Sequence, residues 1–390
     1  MRVLMISSLW PPQVVGGAEL YAARLADGLR AEGHEVAVVT RGVDAPGVIA
    51  SVPPTLYRTD QAAGQPPLRR AAFHLSDLYN VAARRVLDRA ISEFRPDVVH
   101  THAVHGMSSV AMTRPRYRGT AHVHTIHDYW LVCQRNTLMR ADGTLCETRC
   151  RGCVAVSAVR SQTIRRSPPD IALAVSEAVA REHRILPWLE GRLRVLYNPV
   201  DDAPAAVHRD PEEVRRAPVF GYLGRVSAHK GVATLLEAFR RAAIPGATLR
   251  VAGRGELEHA LTGPGVEPLG WLDDRAKDEL LASVDCLVVP SEWKDPAPLV
   301  VNEARARGVT VIGSDLGGIP ELIAPEWRDL LARPSDPDAL AQRLGEFAHD
   351  PARFAAAPAL APMGWEDHVR SVLASYTDAR SAVEARSGRR

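Results

Sequence analysis

Lysine is almost missing from this chain. Only Lys230, Lys277 and Lys294 carry an ammonium, and the other 45 of the 48 basic residues are arginine. With its abundant alanine, the bias points to a GC-rich, bacterial genome. Net charge is missing too: 48 basic residues face 46 acidic ones, leaving +2, which provides no basic footprint for nucleic acid. No run of about 18 uncharged apolar residues occurs, which excludes a membrane-spanning helix. Met1 to Ser8 show no basic n-region, long apolar stretch or small-residue cleavage site, so the reading predicts no secretory leader and a cytoplasmic location. Aromatics are sparse at 5%, yet 46% hydrophobic and 24% charged residues describe an ordinary folded protein. At 390 residues the chain exceeds the size of one core, and two domains are expected.

What is there is alternation. Short apolar runs recur at Val3–Ile6, Val36–Thr40, Asp97–His100, Ala121–Thr125, Ile171–Val175 and Arg194–Tyr197, with helical patterns between them. Strand then helix, repeated, argues for a parallel sheet covered on both faces. Asn198-Pro199-Val200-Asp201 opens a polar stretch to Pro218 that reads as a linker. The alternation then restarts at Val219–Leu223, Thr248–Ala252, Cys286–Val289 and Val309–Gly313, with helices at Gly231–Arg241 and Arg275–Ser283. Residues 42–72, rich in Pro and Gly, read as a mobile loop, and Trp365 to Ala385 as a helix. The expected fold is α/β: two doubly wound, Rossmann-like domains facing each other across a cleft, with ligands held by the loops after the strands. The domains are set at 1–203 and 204–364, with residues 365–390 returning to the first.

Those loops hold the candidate chemistry. Gly16-Gly17-Ala18-Glu19 opens the helix Leu20–Arg30, and a glycine pair there lets backbone N–H groups approach an anionic or hydroxyl-rich ligand. The alternative is a plain tight turn. The Gly-x-Gly-x-x-Gly fingerprint is absent from this loop, and Gly253-Arg254-Gly255 lacks its third glycine, against a nicotinamide or flavin enzyme. Gly224-Arg225 and Lys230-Gly231 place a guanidinium and an ammonium at one strand-to-helix loop, a clamp for a diphosphate unless they are merely solvated. Pro298 suits the first turn of a helix that begins at Leu299 and carries Glu303, whose carboxylate can accept from a ribose diol. Gly317-Gly318 supplies a second glycine pair after a strand.

In this order and spacing the motifs resemble the retaining glycosyltransferases of family 4, with the GT-B fold. Asp97-Val98-Val99-His100-Thr101-His102, His127-Asp128, Leu269-Gly270-Trp271, Pro290-Ser291 and Gly317-Gly318-Ile319-Pro320-Glu321 extend the resemblance over nearly the whole chain. It implies a nucleotide-sugar donor, a UDP- or GDP-sugar, bound mainly by the second domain, with catalysis that needs no metal. It implies Arg225 and Lys230 on the diphosphate, Glu303 on the ribose, Asp295 on the transferred sugar and His127 near the reacting centre. Gly16, Gly17, Leu299, Gly317 and Gly318 complete the donor-binding set. The family's donor signature is a Glu, seven residues and a second Glu. Here its first position is the shorter Asp295, with Glu292 close by. The expected reaction moves a hexose or N-acetylhexosamine to an acceptor hydroxyl on a glycan, glycolipid or secondary metabolite. A nucleotide-sugar epimerase of the same fold is the alternative. Peripheral membrane association and oligomeric state stay open.

Four of the five cysteines crowd together. Cys133, twelve residues, Cys146, three residues, Cys150, two residues and Cys153 give a spacing that suits a structural Cys₄ zinc site in an insertion spanning 133–153. Such a knuckle would order an acceptor-binding loop. Reduced, packed thiols and a disulfide are the other readings of the four. Cys146-x₃-Cys150-x₂-Cys153 also looks like the cluster motif of radical S-adenosylmethionine enzymes, whose barrel the rest of the chain does not resemble.

Overall fold

A computed structural model describes residues 1–14, 16–54, 66–140, 142–201, 210–355 and 363–387. It divides into two compact units, one of residues 1–137, 148–198 and 365–390, the other of 138–147 and 199–364.

The first unit runs β1 (Arg2–Ile6), α1 (Gly17–Ala31), β2 (Glu35–Arg41), β3 (Val48–Val52), α2 (Pro67–Leu78), α3 (Val81–Phe94), β4 (Val98–Thr101) and α4 (Val110–Tyr117). It continues with β5 (Ala121–Ile126), α5 (Arg151–Arg165), β6 (Ile171–Ala174), α6 (Glu177–His183) and β7 (Leu193–Val195). Its sheet is parallel in the order β3-β2-β1-β4-β5-β6-β7. The central strands are buried almost throughout: β1 from Val3 on and β6 read as continuous apolar runs, whereas β4 and β5 also bury His100, Thr101, His122, His124 and Thr125. Residues 48–52, expected within a mobile loop, form the edge strand β3. It pairs with β2 while alternating between half-buried and exposed, so it shows little apolar signal. Of that expected loop, 55–65 lie outside the described residues.

The second unit runs α7 (Pro211–Arg216), β8 (Val219–Leu223), α8 (Val232–Ala242), β9 (Thr248–Ala252), β10 (Val266–Gly270), α9 (Asp274–Ser283) and β11 (Cys286–Val289). Then come α10 (Leu299–Ala306), β12 (Thr310–Ser314), α11 (Ile319–Leu322), β13 (Leu331–Ala332), α12 (Pro337–His349) and α13 (Pro351–Ala355). This sheet is parallel too, ordered β10-β9-β8-β11-β12-β13. The final helix, α14 (Trp365–Ser387), belongs to the first unit. Its Val369, Val372, Tyr376 and Ala379 join a core with Tyr21, Leu25 and Leu29 of α1 and with Val123 of β5.

In each sheet the order reverses once, between β1 and β4 and between β8 and β11. Open α/β sheets receive ligands at such reversals, outside the carboxyl ends of the strands.

Candidate functional site

In the second unit the reversal brings the loop after β8 beside the loop after β11. Gly231 makes the approach possible: its φ of 74° lies in the left-handed region, and a Cβ there would stand 1.8 Å from the Pro290 carbonyl oxygen. The Lys230 ammonium donates to Asp295 Oδ2 at 2.5 Å, and Ser291 Oγ donates to the same oxygen at 3.2 Å. Asp295 is buried, while Lys230 is a quarter exposed and also lies 5.2 Å from the centre of the Trp293 ring. Arg225 is exposed on the same loop.

Gly317 and Gly318 serve Asp295 through its backbone. The Gly318 N–H donates to the Asp295 carbonyl at 2.8 Å, and a Cβ on Gly317 would sit 2.6 Å from that oxygen. Leu299 starts α10, and Glu303 follows one turn later with Oε1 held by Lys277 Nζ at 2.9 Å. Both members of that pair are about one-fifth exposed. Asp295 and Glu303 thus each hold a lysine, and two of the chain's three lysines are spent there. Glu292, which stood near enough in sequence to assist Asp295, instead accepts from the Thr234 hydroxyl.

Sequence reasoning passed over two residues of this region, Lys277 and His229. His229 stacks edge-on against Trp293 at 5.7 Å; burial, with Lys230 and Arg225 nearby, pulls its imidazole down to about 4. The rarity of lysine was the signal that could have found Lys277.

The first unit's reversal is tied by the Ser8 N–H, which donates to the Ala103 carbonyl at 2.7 Å. Beside it lies a pocket lined by His102, His105, His124, His127, Asp128 and Trp130, among others. His127 Nε2 is 3.2 Å from His102 Nδ1, and its ring meets the edge of Tyr21 at 4.9 Å. Burial holds His127 down to about 4 and His124 to about 3, and it keeps His102 and His100 well below the usual imidazole range. These rings are neutral at pH 7. His105 is the exception. Burial opposes its charge, yet Asp128 at 2.9 Å wins and raises it, while Asp128 is brought down to about 2 by that partner despite its own desolvation.

The wall of this pocket is braced from behind. The Trp130 N–H caps Asp128 at 2.8 Å, the Trp130 indole donates to buried Asp77 at 2.9 Å, and Arg160 of α5 binds the same Asp77 oxygen at 2.6 Å. Gly16 and Gly17 lie at the head of α1, exposed, with the Gly16 N–H donating to Glu19 at 2.8 Å.

The cysteines do not assemble the expected zinc site, and among the described residues no three His, Cys, Asp or Glu converge on a metal position. Cys146 ends a short hairpin formed by Met139 and Leu145 that groups with the second unit. Cys133 and Cys153 are buried with their sulfurs 3.9 Å apart, and Cys150 is exposed at the N-cap of α5. The Cys153 N–H donates to Cys150 Sγ at 3.4 Å and lowers its thiol, while the Cys153 thiol donates to Cys133 Sγ; burial pushes Cys153 up to about 12. A Cys₄ ion would need four sulfurs on one centre. Cys286 is buried in β11.

Residues 15–203 match the model for Glycosyltransferase Family 4, and residues 217–350 match that for Glycosyl transferases group 1. The chain belongs to glycosyltransferase family 4. Its two parallel-sheet, Rossmann-like units are of the GT-B type, and it is a glycosyltransferase. It is 26% identical over 340 residues to an uncharacterised 42.6 kDa protein in the cps region of Klebsiella pneumoniae, covering 83% of this chain and 87% of that one. Against a glycogen synthase of Mycobacterium tuberculosis the identity is 28% over 381 residues, covering 90% and 87%. Among solved structures, sucrose-phosphate synthase from Thermosynechococcus elongatus superposes with a TM-score of 0.72 at 20% identity, covering 98% of this chain and 99% of that one. Anabaena Alr3699/HepE, in complex with UDP and glucose, gives 0.70 at 16% identity, covering 96% and 99%. No helix among the described residues is long and apolar enough to cross a membrane.

Proposed function

We propose that this glycosyltransferase moves a hexose or N-acetylhexosamine from a UDP- or GDP-sugar to an acceptor hydroxyl, with retention of anomeric configuration and without a required metal ion. The observation that carries the reading is the Lys230–Asp295 contact at the sheet reversal of the second unit. An ammonium has three donors, so Lys230 can keep Asp295 and still meet a phosphate oxygen, and with Arg225 it stabilises the charge that develops on the leaving diphosphate. That task is often given to a divalent cation; here two side chains of this loop take it. Glu303, steadied by Lys277, faces the ribose hydroxyls, and Asp295 contacts the transferred sugar. His127, neutral at working pH, serves the reacting sugar as a hydrogen-bond partner and not as a proton source. Gly16 and Gly17, exposed at the head of α1, leave room for a ligand to approach that helix's first turn, the Gly16 N–H itself being taken by Glu19.

The test has three parts. UDP, GDP, ADP and dTDP sugars are ranked by thermal shift, since a ligand that binds the folded state raises its melting temperature. Lys230→Ala is expected to weaken nucleoside diphosphate binding by about 1.5 to 3 kcal/mol and nucleoside binding little. Asp295→Ala is expected to lower turnover more than nucleotide affinity, as for a contact realised mainly in the transition state. Equal UDP and GDP affinity in Lys230→Ala and wild type would sink the diphosphate role. A β-linked product from an α-linked donor, read from the anomeric proton coupling, would sink retention.

A further inference from the structure

The thiols of the 133–153 segment are left over from the glycosyl-transfer machinery, and their placement is unequal. Cys150 is exposed and caps α5, a helix of 15 residues whose N-terminal N–H groups favour an anion. Cys153 lies one turn in, 7% exposed, with its backbone N–H donating to Cys150 Sγ at 3.4 Å. Behind it, Cys133 Sγ is 3.9 Å from Cys153 Sγ. An accessible sulfur at a helix N-terminus, with a second thiol sheltered three residues later, is the arrangement in which the first sulfur attacks and the second resolves.

We propose that Cys150 and Cys153 form a redox-active dithiol, a reversible modification site whose co-reactant is a low-molecular-weight disulfide. The Cys150 thiolate attacks one sulfur of the disulfide RSSR, forming Cys150–S–S–R and releasing RS⁻, which takes up the proton Cys150 gave. The Cys153 thiol then loses its proton and attacks Cys150 Sγ, closing the Cys150–Cys153 disulfide and expelling the second RS⁻, which takes that proton. The protein loses two electrons and two protons, and RSSR becomes two RSH. A dithiol reductant reverses both steps.

The site bears on the acceptor-side pocket through α5 itself. Arg160 on that helix binds Asp77, Asp77 takes the Trp130 indole, and Trp130 caps Asp128. Oxidation at the head of α5 therefore acts on the helix that braces the pocket wall. Nothing in the proposal depends on which sugar is transferred.

The experiment uses the full-length protein with oxidised glutathione as probe, followed by acid quenching, alkylation and peptide mapping. The expected product is a Cys150–Cys153 disulfide, two hydrogens lighter, that dithiothreitol returns to the thiol form. Cys153→Ser is expected to stop at a glutathione adduct on Cys150, and Cys150→Ser to stay unmodified at Cys153. The wild-type map alone can overturn the proposal, so a variant that fails to fold does not protect it. A disulfide joining other cysteines, no reaction at Cys150, or thiols shielded by zinc that metal analysis finds bound would each overturn it.

Discussion

Two units with one topology have filled the same crossover with opposite materials. In the first, the loops after the strands gather neutral imidazoles against Tyr21 and Trp130, and the charged pair lining the pocket is His105–Asp128. In the second, the corresponding loops are organised by ammonium–carboxylate contacts, Lys230 with Asp295 and Lys277 with Glu303. The contrast follows the chemistry each is proposed to meet. A diphosphate needs fixed cations. A sugar hydroxyl needs uncharged partners that hydrogen-bond without a heavy desolvation cost. Fold alone specifies neither; the side chains placed at the reversal do.

The glycines offer the sharpest way to break this comparison. Gly231→Ala puts a methyl group against the Pro290 carbonyl in a left-handed conformation, and a loss of roughly 3 to 5 kcal/mol of second-unit stability is expected. Gly16→Ala, where the backbone is extended and the nearest atom is 4.0 Å away, should change stability by less than about 0.5 kcal/mol. Denaturant titration of both variants checks the pair, and equal losses would erase the distinction between a packed and a permissive loop.

Acid should separate the units next. An unfolded chain protonates each imidazole near pH 6.5, whereas the folded first unit refuses the proton until about 4 at His127 and His368 and about 3 at His124. The unfolded state binds more protons across that window, so first-unit stability falls as pH drops from 6.5 toward 4. His105, raised by Asp128, works the other way: its stabilisation is present below 6.5 and lost as pH rises through its folded value. The depressed rings outnumber it. Hydrogen exchange is expected to show β1, β4 and β5 losing protection at pH 4.5 before β8 and β11, and simultaneous loss would refute the idea.

The smallest expected effect belongs to Lys277→Ala. If Lys277 only steadies Glu303, nucleotide affinity should fall by about 1 kcal/mol, less than for Glu303→Gln at about 1.5 to 3 kcal/mol. The double variant should then cost little more than Glu303→Gln alone, as calorimetry would show.

The interior strands were legible because burial on both faces writes a nearly unbroken apolar run, as in β1, β8 and β11. The edges were not. Strands β3 and β10 leave residues exposed, and β13 has only two residues, so none produces a run long enough to notice. The loops at the second unit's reversal were recognisable from their glycines and cations, but the Lys230–Asp295 contact spans 65 positions and appears only once the sheet order is known. The zinc expectation failed for a related reason. Cysteine spacing records distance along the chain, and a metal site needs its ligands to converge in space, which among the described residues no three of His, Cys, Asp or Glu do.

Because α14 completes the first unit, synthesis cannot finish that unit in the order it was begun. His368 meets the Tyr21 hydroxyl at 2.7 Å, and the Tyr376 hydroxyl meets His100 at 2.8 Å, so two of its buried polar contacts await residues that follow the second unit in the chain. Nearly all of the second unit, residues 199–364, has been translated by then. During synthesis the nascent first unit must therefore keep the α14-facing side of its sheet uncovered while the second unit is free to fold, so that apolar face stays open to water until α14 emerges.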